Sequence, residues 1–413
     1  LPSPNPRGLA LILAKGKSRT GVDAVPRIRM MIASLALGLF VAFTAAQDNK
    51  TQPPAKEQTA KSDTTTQPDP KKEEPKKEPP KKEEPKKEEP KKEEPKKEEP
   101  KADPNARTFA PKFEKDKKFY QELKTQVSQV IKVQGQDVTQ KQESTYYFKW
   151  NPLKQTGDKW ELEQEVEGLK VSIDISGNTI NYDSTQPDTS VTAGNPTLME
   201  FFRKLVGTKF VVTLDKSFKV ESVSGKDEFI RKLSGGNNQL DSLFRNIVTD
   251  DSLKQMCDPT MLLVPDSPRK PGDTWEKKAS ISLGPIGRYE VTYKFKYIGP
   301  GTEEGKKEYD KIEVETDLTY SVPKEPGSDG LFFRIKEGKL EQPKGMGEQP
   351  PKGVIYFDPK TQRIVSADIT LKLKGELTVN IGATDSKVEI YQEQKTTLRT
   401  GDSSFLPTSS TSK

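Results

Sequence analysis

The chain has 413 residues, with 68 basic against 62 acidic groups, no histidine and one cysteine. The missing histidine removes the usual general base at neutral pH, the histidine-centred nucleophile arrangements and the commonest zinc ligand. The net charge of +6 divides into +5 over residues 1–46, 0 over 47–105 and +1 over 106–413, so the later part offers no sign of the clustered basic surface that nucleic acid requires.

Met30 to Phe43 is an apolar run, MMIASLALGLFVAF, preceded by Arg27 and Arg29 and followed by Thr44-Ala45-Ala46. A basic flank, an apolar stretch and small residues ahead of polar sequence are the parts of a secretory signal peptide. Cleavage is expected between Ala46 and Gln47. The run is shorter than the roughly 20 residues that cross a bilayer comfortably; left uncut, residues 30–43 would serve as a membrane tether. No cysteine lies near the cut, which excludes a bacterial lipid anchor at that site. Residues 1–24, rich in Pro, Gly and Lys, have no clear role, and translation is read as starting at Val25.

Residues 47–105 form a spacer built on the unit Lys-Lys-Glu-Glu-Pro, repeated between Pro70 and Pro100 with one irregular unit at Glu78-Pro79-Pro80. The segment has too little apolar surface to offset its ordering entropy. An i,i+4 Lys–Glu pair favours a helix by only about 0.2–0.5 kcal/mol, whereas an interior proline costs about 3 kcal/mol. An extended, disordered spacer is expected, reaching roughly 95 Å over Pro70–Pro100 at about 3.1 Å per residue.

From residue 106 to 400 the dominant pattern is period-2 alternation, the mark of half-buried strands. Phe119–Val133, Tyr146–Trp150 and Leu162–Ile175 are strand candidates. In the last, the apolar residues change parity across Gly168, which predicts a β-bulge there. A helical insert follows over about 196–258. Leu198, Phe201, Phe202 and Leu205 share one helical face. Two strands, 209–214 and 218–223, turn at Asp215-Lys216-Ser217. Gly225 opens a helix over Phe229 and Leu233 that Gly235-Gly236 stops. Leu240, Leu243, Phe244 and Ile247 mark another helix, Asp250 caps a third, and Leu253 and Cys257 lie four apart on one face with Cys257 buried.

Strands resume at Tyr289–Tyr297, Ile312–Tyr320, an unusually long Val365–Ile381, and Val388–Leu398. Residues 401–413 read as a disordered tail. The fold class is α+β, mostly β: a large twisted antiparallel sheet or open barrel around a central helical insert.

Gly157-Asp158-Lys159-Trp160-Glu161 and Gly272-Asp273-Thr274-Trp275-Glu276 share a Gly-Asp-x-Trp-Glu pattern, a turn feeding a strand whose Trp faces inward. The second copy, with Pro265-Asp266-Ser267-Pro268 ahead of it, resembles the Pro…Gly-Asp-x-Trp segment of a bacterial exported-domain family of unknown function. Tyr182-Asp183-Ser184, Leu205-Val206-Gly207, Phe210–Leu214 and Val220–Gly225 resemble it in the same order, over roughly residues 115–400. The resemblance implies export, and it supplies no activity and no catalytic residues.

The sequence carries no phosphate-binding loop, metal-ligand spacing or nucleophile motif, so no catalytic, cofactor or metal residues are assigned. Glu303-Glu304 and the row Glu161, Glu163, Glu165 and Glu167 are the acidic clusters, and the row is expected on a solvated strand face. Tyr289, Tyr293, Phe295, Tyr297, Tyr320, Phe332, Phe333, Tyr356 and Phe357 are candidates to line a concave sheet. The expectation is an exported, non-enzymatic binding or structural domain, periplasmic, in the cell envelope or extracellular, displayed on the spacer. The alternatives are a carrier of a lipid or other apolar ligand in a half-barrel cavity, and a hydrolase using paired carboxylates.

Overall fold

The computed structural model describes residues 106–186, 196–236, 257–260, 263–282, 287–303, 305–323, 333–343, 352–381 and 384–407, with isolated positions between 238 and 254. The leader, the Ala46/Gln47 junction, the spacer, the helix expected around Leu240–Ile247 (apart from isolated positions) and residues 408–413 lie outside the described residues.

Thirteen strands form one antiparallel sheet. In chain order they are β1 (Phe119–Val133), β2 (Gln136–Thr156), β3 (Lys159–Ile175), β4 (Asn178–Asp183), β5 (Lys209–Leu214), β6 (Val220–Ser224), β7 (Thr274–Ser282), β8 (Arg288–Pro300), β9 (Asp310–Ser321), β10 (Phe333–Glu341), β11 (Lys352–Asp358), β12 (Arg363–Ile381) and β13 (Thr384–Gly401). Among the elements with described bounds, two helices, α1 (Pro196–Leu205) and α2 (Lys226–Ser234), interrupt them.

The path across the sheet is β6-β5-β3-β2-β1-β13-β12-β10-β9-β8-β7, with β4 also on β3 and β11 between β12 and β9. The first and last strands meet in its middle, β1 against β13 from Tyr120↔Gly401 to Val133↔Val388. Strands β6 and β7 each carry one neighbour, β5 and β8, so the sheet curls into a partial ring and does not close.

Alternation sets the two faces. On β1, buried and more exposed residues alternate, with Phe119, Gln121, Thr125, Val127, Gln129, Ile131 and Val133 turned inward. The outer face is laced with cross-strand lysine–glutamate pairs. The expected bulge is present: Tyr147 pairs with Gly168 and Phe148 with Val166, leaving Glu167 as the extra residue.

Both helices begin and end where the residue types direct. Gly225 precedes α2 at φ +98°, and Gly235 ends it at φ +58° with its N–H bonded to the Arg231 carbonyl. Phe201, Phe202 and Leu205 of α1 and Phe229, Ile230 and Leu233 of α2 are buried in a core cluster that also takes residues from β1–β6, β8–β10, β12 and β13. Cys257 is fully buried in this cluster, its N–H bonded to the Leu253 carbonyl at 3.0 Å, the expected helical spacing. Each such side chain contributes about 1.5–3 kcal/mol when removed from water. A second cluster gathers Phe109, Leu263, Trp275, Phe295, Tyr297 and Phe357 with Ile312, Ile355, Ala367 and Leu398.

Residues 402–407, expected as the start of a tail, lie against the sheet. Ser404 Oγ donates to Glu167 at 2.8 Å, Arg363 pairs with Asp402 at 2.6 Å, and Leu406 packs over the bare Cα of Gly168. The bulge explains this. It brings Glu167 and Gly168 to a spot where a hydroxyl and a leucine can dock.

Candidate functional site

The inner face of the central strands carries a polar patch. Three successive rows cross it: Ile175–Gln140–Gln129–Gln392–Leu373, Ile173–Gln142–Val127–Gln394–Leu371 and Val171–Ser144–Thr125–Thr396–Ile369. Amides and hydroxyls therefore occupy β2, β1 and β13, with aliphatic columns on β3 and β12 to either side. The rows above and below are Val138–Ile131–Ile390 and Tyr146–Leu123–Leu398, again mostly hydrocarbon.

The patch is closed to solvent. Gln129, Gln140, Ser144 and Gln394 are each 1 % exposed. Both amide atoms of Gln129 and both of Gln140 have no protein hydrogen-bond partner, nor does Gln394 Oε1, although Gln394 Nε2 donates to Thr396 at 3.1 Å. A buried amide left unpaired loses its hydration without compensation, at about 1–3 kcal/mol. No charged residue shares the inner face of these rows, so the patch is neutral and hydrogen-bonding.

Sequence reasoning passed over these residues. The signal was there: in β1, Gln121 and Gln129 have the same parity as Phe119, Val127, Ile131 and Val133.

Opposite flanks of the sheet supply an aromatic wall. Of the aromatics named as candidates to line a concave sheet, Tyr289, Phe295, Tyr297 and Phe357 are buried in the two core clusters, and Tyr293 packs against both. Tyr289 meets Tyr320 at 5.4 Å between centroids, and its hydroxyl has no protein partner. Burial pushes the Tyr289 and Tyr320 phenols well up, and burial with nearby Asp258 pushes Tyr293 up to about 12, so all three are neutral donors at pH 7. Tyr356 departs from the expectation. It faces outward, with Lys306 Nζ 4.9 Å from its ring centre. Phe332 and the Phe333 side chain lie outside the described set.

The segment before β1 is fastened into this wall. Phe109 sits among Trp275, Tyr297 and Phe357 at centroid distances of 5.6, 5.0 and 5.3 Å. Arg107 and Arg269 exchange backbone hydrogen bonds of 2.8 and 2.9 Å. Asp310, 3 % exposed, accepts from the Tyr297 hydroxyl at 2.6 Å and lies 3.7 Å from the Arg107 guanidinium. Burial and the bond to Asp310 together raise the Tyr297 phenol. Phe109, Phe113, Phe119, Gln121, Arg363 and Thr400 help line a small cavity of about 20 Å³ beside the segment, room for about one water.

Among the described residues no three carboxylates gather as a metal site would require, although Glu165 and Glu167 share Lys149 and Glu163 and Glu165 share Lys209. Among the described residues Asp310 is the one buried carboxylate, and it is engaged. Glu163 and Glu165 face outward and pair with Lys209 and Lys149 at 3.1 and 2.6 Å; Glu161 meets Lys154 at 3.1 Å. Burial opposes ionisation of Glu165, but Lys149 and Lys209 outweigh it and hold the carboxyl below its ordinary value. Glu303 pairs with Lys311, and Glu304 is outside the described residues.

The motif residues build structure. Gly272, at φ +96°, donates to the Tyr297 carbonyl, Asp273 Oδ2 accepts from Lys270 N–H at 2.9 Å, and Trp275 Nε1 donates to the Leu263 carbonyl at 2.8 Å. Ser184 Oγ accepts from Leu169 N–H, Asp183 holds Thr185, and Gly207 follows α1 at φ +74°. In the first copy Gly157 makes the β2–β3 turn and Trp160 meets Phe113 at 5.7 Å.

Residues 157–306, roughly a third of the chain, match the model of a family of unknown function, DUF6263. The match takes in every motif above and is shorter than the span of 115–400 expected. No curated protein matches the chain. Among solved structures, one titled for lipid–protein interactions in lipovitellin is 12 % identical with a TM-score of 0.35, covering 71 % of this chain and 26 % of that one. The chain thus spans about a quarter of that protein's length. DynF from the dynemicin pathway of Micromonospora chersina (8 % identical, 71 % and 84 % covered, TM-score 0.16) and Pseudomonas aeruginosa OccK5 (9 %, 69 % and 98 %, TM-score 0.18) are also similar.

Proposed function

We propose that the chain is an exported, non-enzymatic binding domain displayed on a charged spacer. The observation that carries this reading is the inner patch. Gln129 and Gln140 are buried and unpartnered in a hydrocarbon frame, and an amide recognises by hydrogen bonding without titrating near neutral pH or acting as a nucleophile. Export and display are supported by the sequence. Arg27 and Arg29, the apolar run and Thr44-Ala45-Ala46 are parts of a signal peptide, and the proline-punctuated repeat suits a spacer. The fastened segment from Arg107 to Phe113 suits a body joined to such a tether, because a pull from residue 105 meets Phe109 in its aromatic cage before it reaches β1.

The test expresses the full precursor, fractionates the cells and sequences the N-terminus of the product. A chain beginning at Gln47 outside the cytoplasm is expected; a cytosolic chain with Met30–Phe43 intact would overturn the export half. Chromogenic ester and glycoside substrates should show no turnover. Turnover that Asp310→Asn abolishes would overturn the non-enzymatic half.

A further inference from the structure

We infer that the glutamine patch on β1, β2 and β13 is a binding site for the uncharged, hydroxyl-bearing polar group of an amphipathic molecule whose hydrocarbon lies along the flanking aliphatic columns. This deepens the binding reading above and rests on it.

Four observations carry the inference. The patch is polar where an inner sheet face is ordinarily apolar, and Gln129 and Gln140 bring four amide atoms with no protein partner to adjacent cross-strand positions. Packing alone does not account for them, since a leucine or methionine of similar volume would fill the same space without the desolvation cost. Second, the patch is neutral. A carboxylate or phosphate ligand would bring a buried charge with no counter-charge on these rows, which is strongly disfavoured. Third, an amide presents either oxygen or nitrogen at a given position by rotation of its end group. A hydroxyl both donates and accepts, so it satisfies either orientation. Fourth, the patch is extended: three inward positions along a strand span about 13 Å and three strands about 10 Å. Ile173 and Ile175 flank it on one side and Leu371 and Leu373 on the other.

The experiment titrates purified protein with 1-monopalmitoylglycerol, palmitate and hexadecane, read by native mass spectrometry. Wild-type protein is expected to prefer the monoacylglycerol over both other probes by about tenfold or more. The double variant Gln129→Met, Gln140→Met is expected to lose that preference while taking up hexadecane at least as well. Should the variant not fold, side-chain amide resonances in wild-type protein serve instead. Those of Gln129 and Gln140 should shift with monopalmitoylglycerol and stay in place with hexadecane.

Equal uptake of hexadecane and monopalmitoylglycerol, with unmoved amide resonances, would overturn the assignment of the patch and leave the binding reading intact. Tighter binding of palmitate would overturn the neutral polar group. Uptake of none of the three would remove both the inference and the reading it rests on.

Discussion

Gly375 shows how little room the curled sheet leaves. It sits in β12 opposite Leu340, and a Cβ there would fall 1.9 Å from the Lys339 carbonyl oxygen and 2.9 Å from Leu340 Cα. Both are backbone atoms, so neither can rotate away. Gly375→Ala should cost about 3 kcal/mol, read as a lower urea midpoint at unchanged slope. Phe109 is the opposite case, a large ring whose loss leaves a hole. Phe109→Ala should cost about 3 kcal/mol or more and should expose Lys112 to trypsin faster than it exposes sites within the strands.

Strand pairs contribute to the pH dependence of stability. Lys149 on β2 and Glu165 on β3 are 23 % and 18 % exposed and 2.6 Å apart. The folded Glu165 carboxyl lies below its ordinary 4.5, so the stability it brings is complete above that value and is lost as the pH falls through the folded value. Bonding to Glu165 outweighs burial and raises Lys149 above its ordinary 10.5, so its share is complete below that value and is lost as the pH rises past the folded one. Lys149→Met should lower stability at pH 7 by up to about 1 kcal/mol and flatten the loss below pH 4.5 in a pH series of urea midpoints. At this scale the sequence was legible where alternation is long and regular. β1, β8, β9, β12, the bulge at Gly168 and both caps of α2 follow from residue pattern alone. β7 was announced by its Gly272-Asp273 turn and inward Trp275. β4 has only six residues, and β10 shifts register between Ile335 and Glu337, breaking its parity, so both lack the unbroken alternation that would mark them. The inner patch was hidden for a different reason. Which face a glutamine takes depends on the parity of its neighbours, and only the register across β2, β1 and β13 brings the amides together.

For the whole molecule, the motif residues within the stretch that matches DUF6263 fall in turns, caps and the two cores, where they build the sheet. Trypsin should clear the lysine-rich spacer and leave one resistant body from about residue 106 to 407, since β1 and β13 pair from Tyr120↔Gly401 to Val133↔Val388; a gel that shows two stable fragments of the body would contradict one continuous sheet. The most direct check on the proposed binding role of the inner face is the native mass of the protein purified from its own host without detergent. A mass above that of the polypeptide, falling to the bare value when Gln129 and Gln140 are both methionine, is the predicted result. A bare polypeptide mass for the wild-type protein, with no uptake of any added amphiphile, would contradict it.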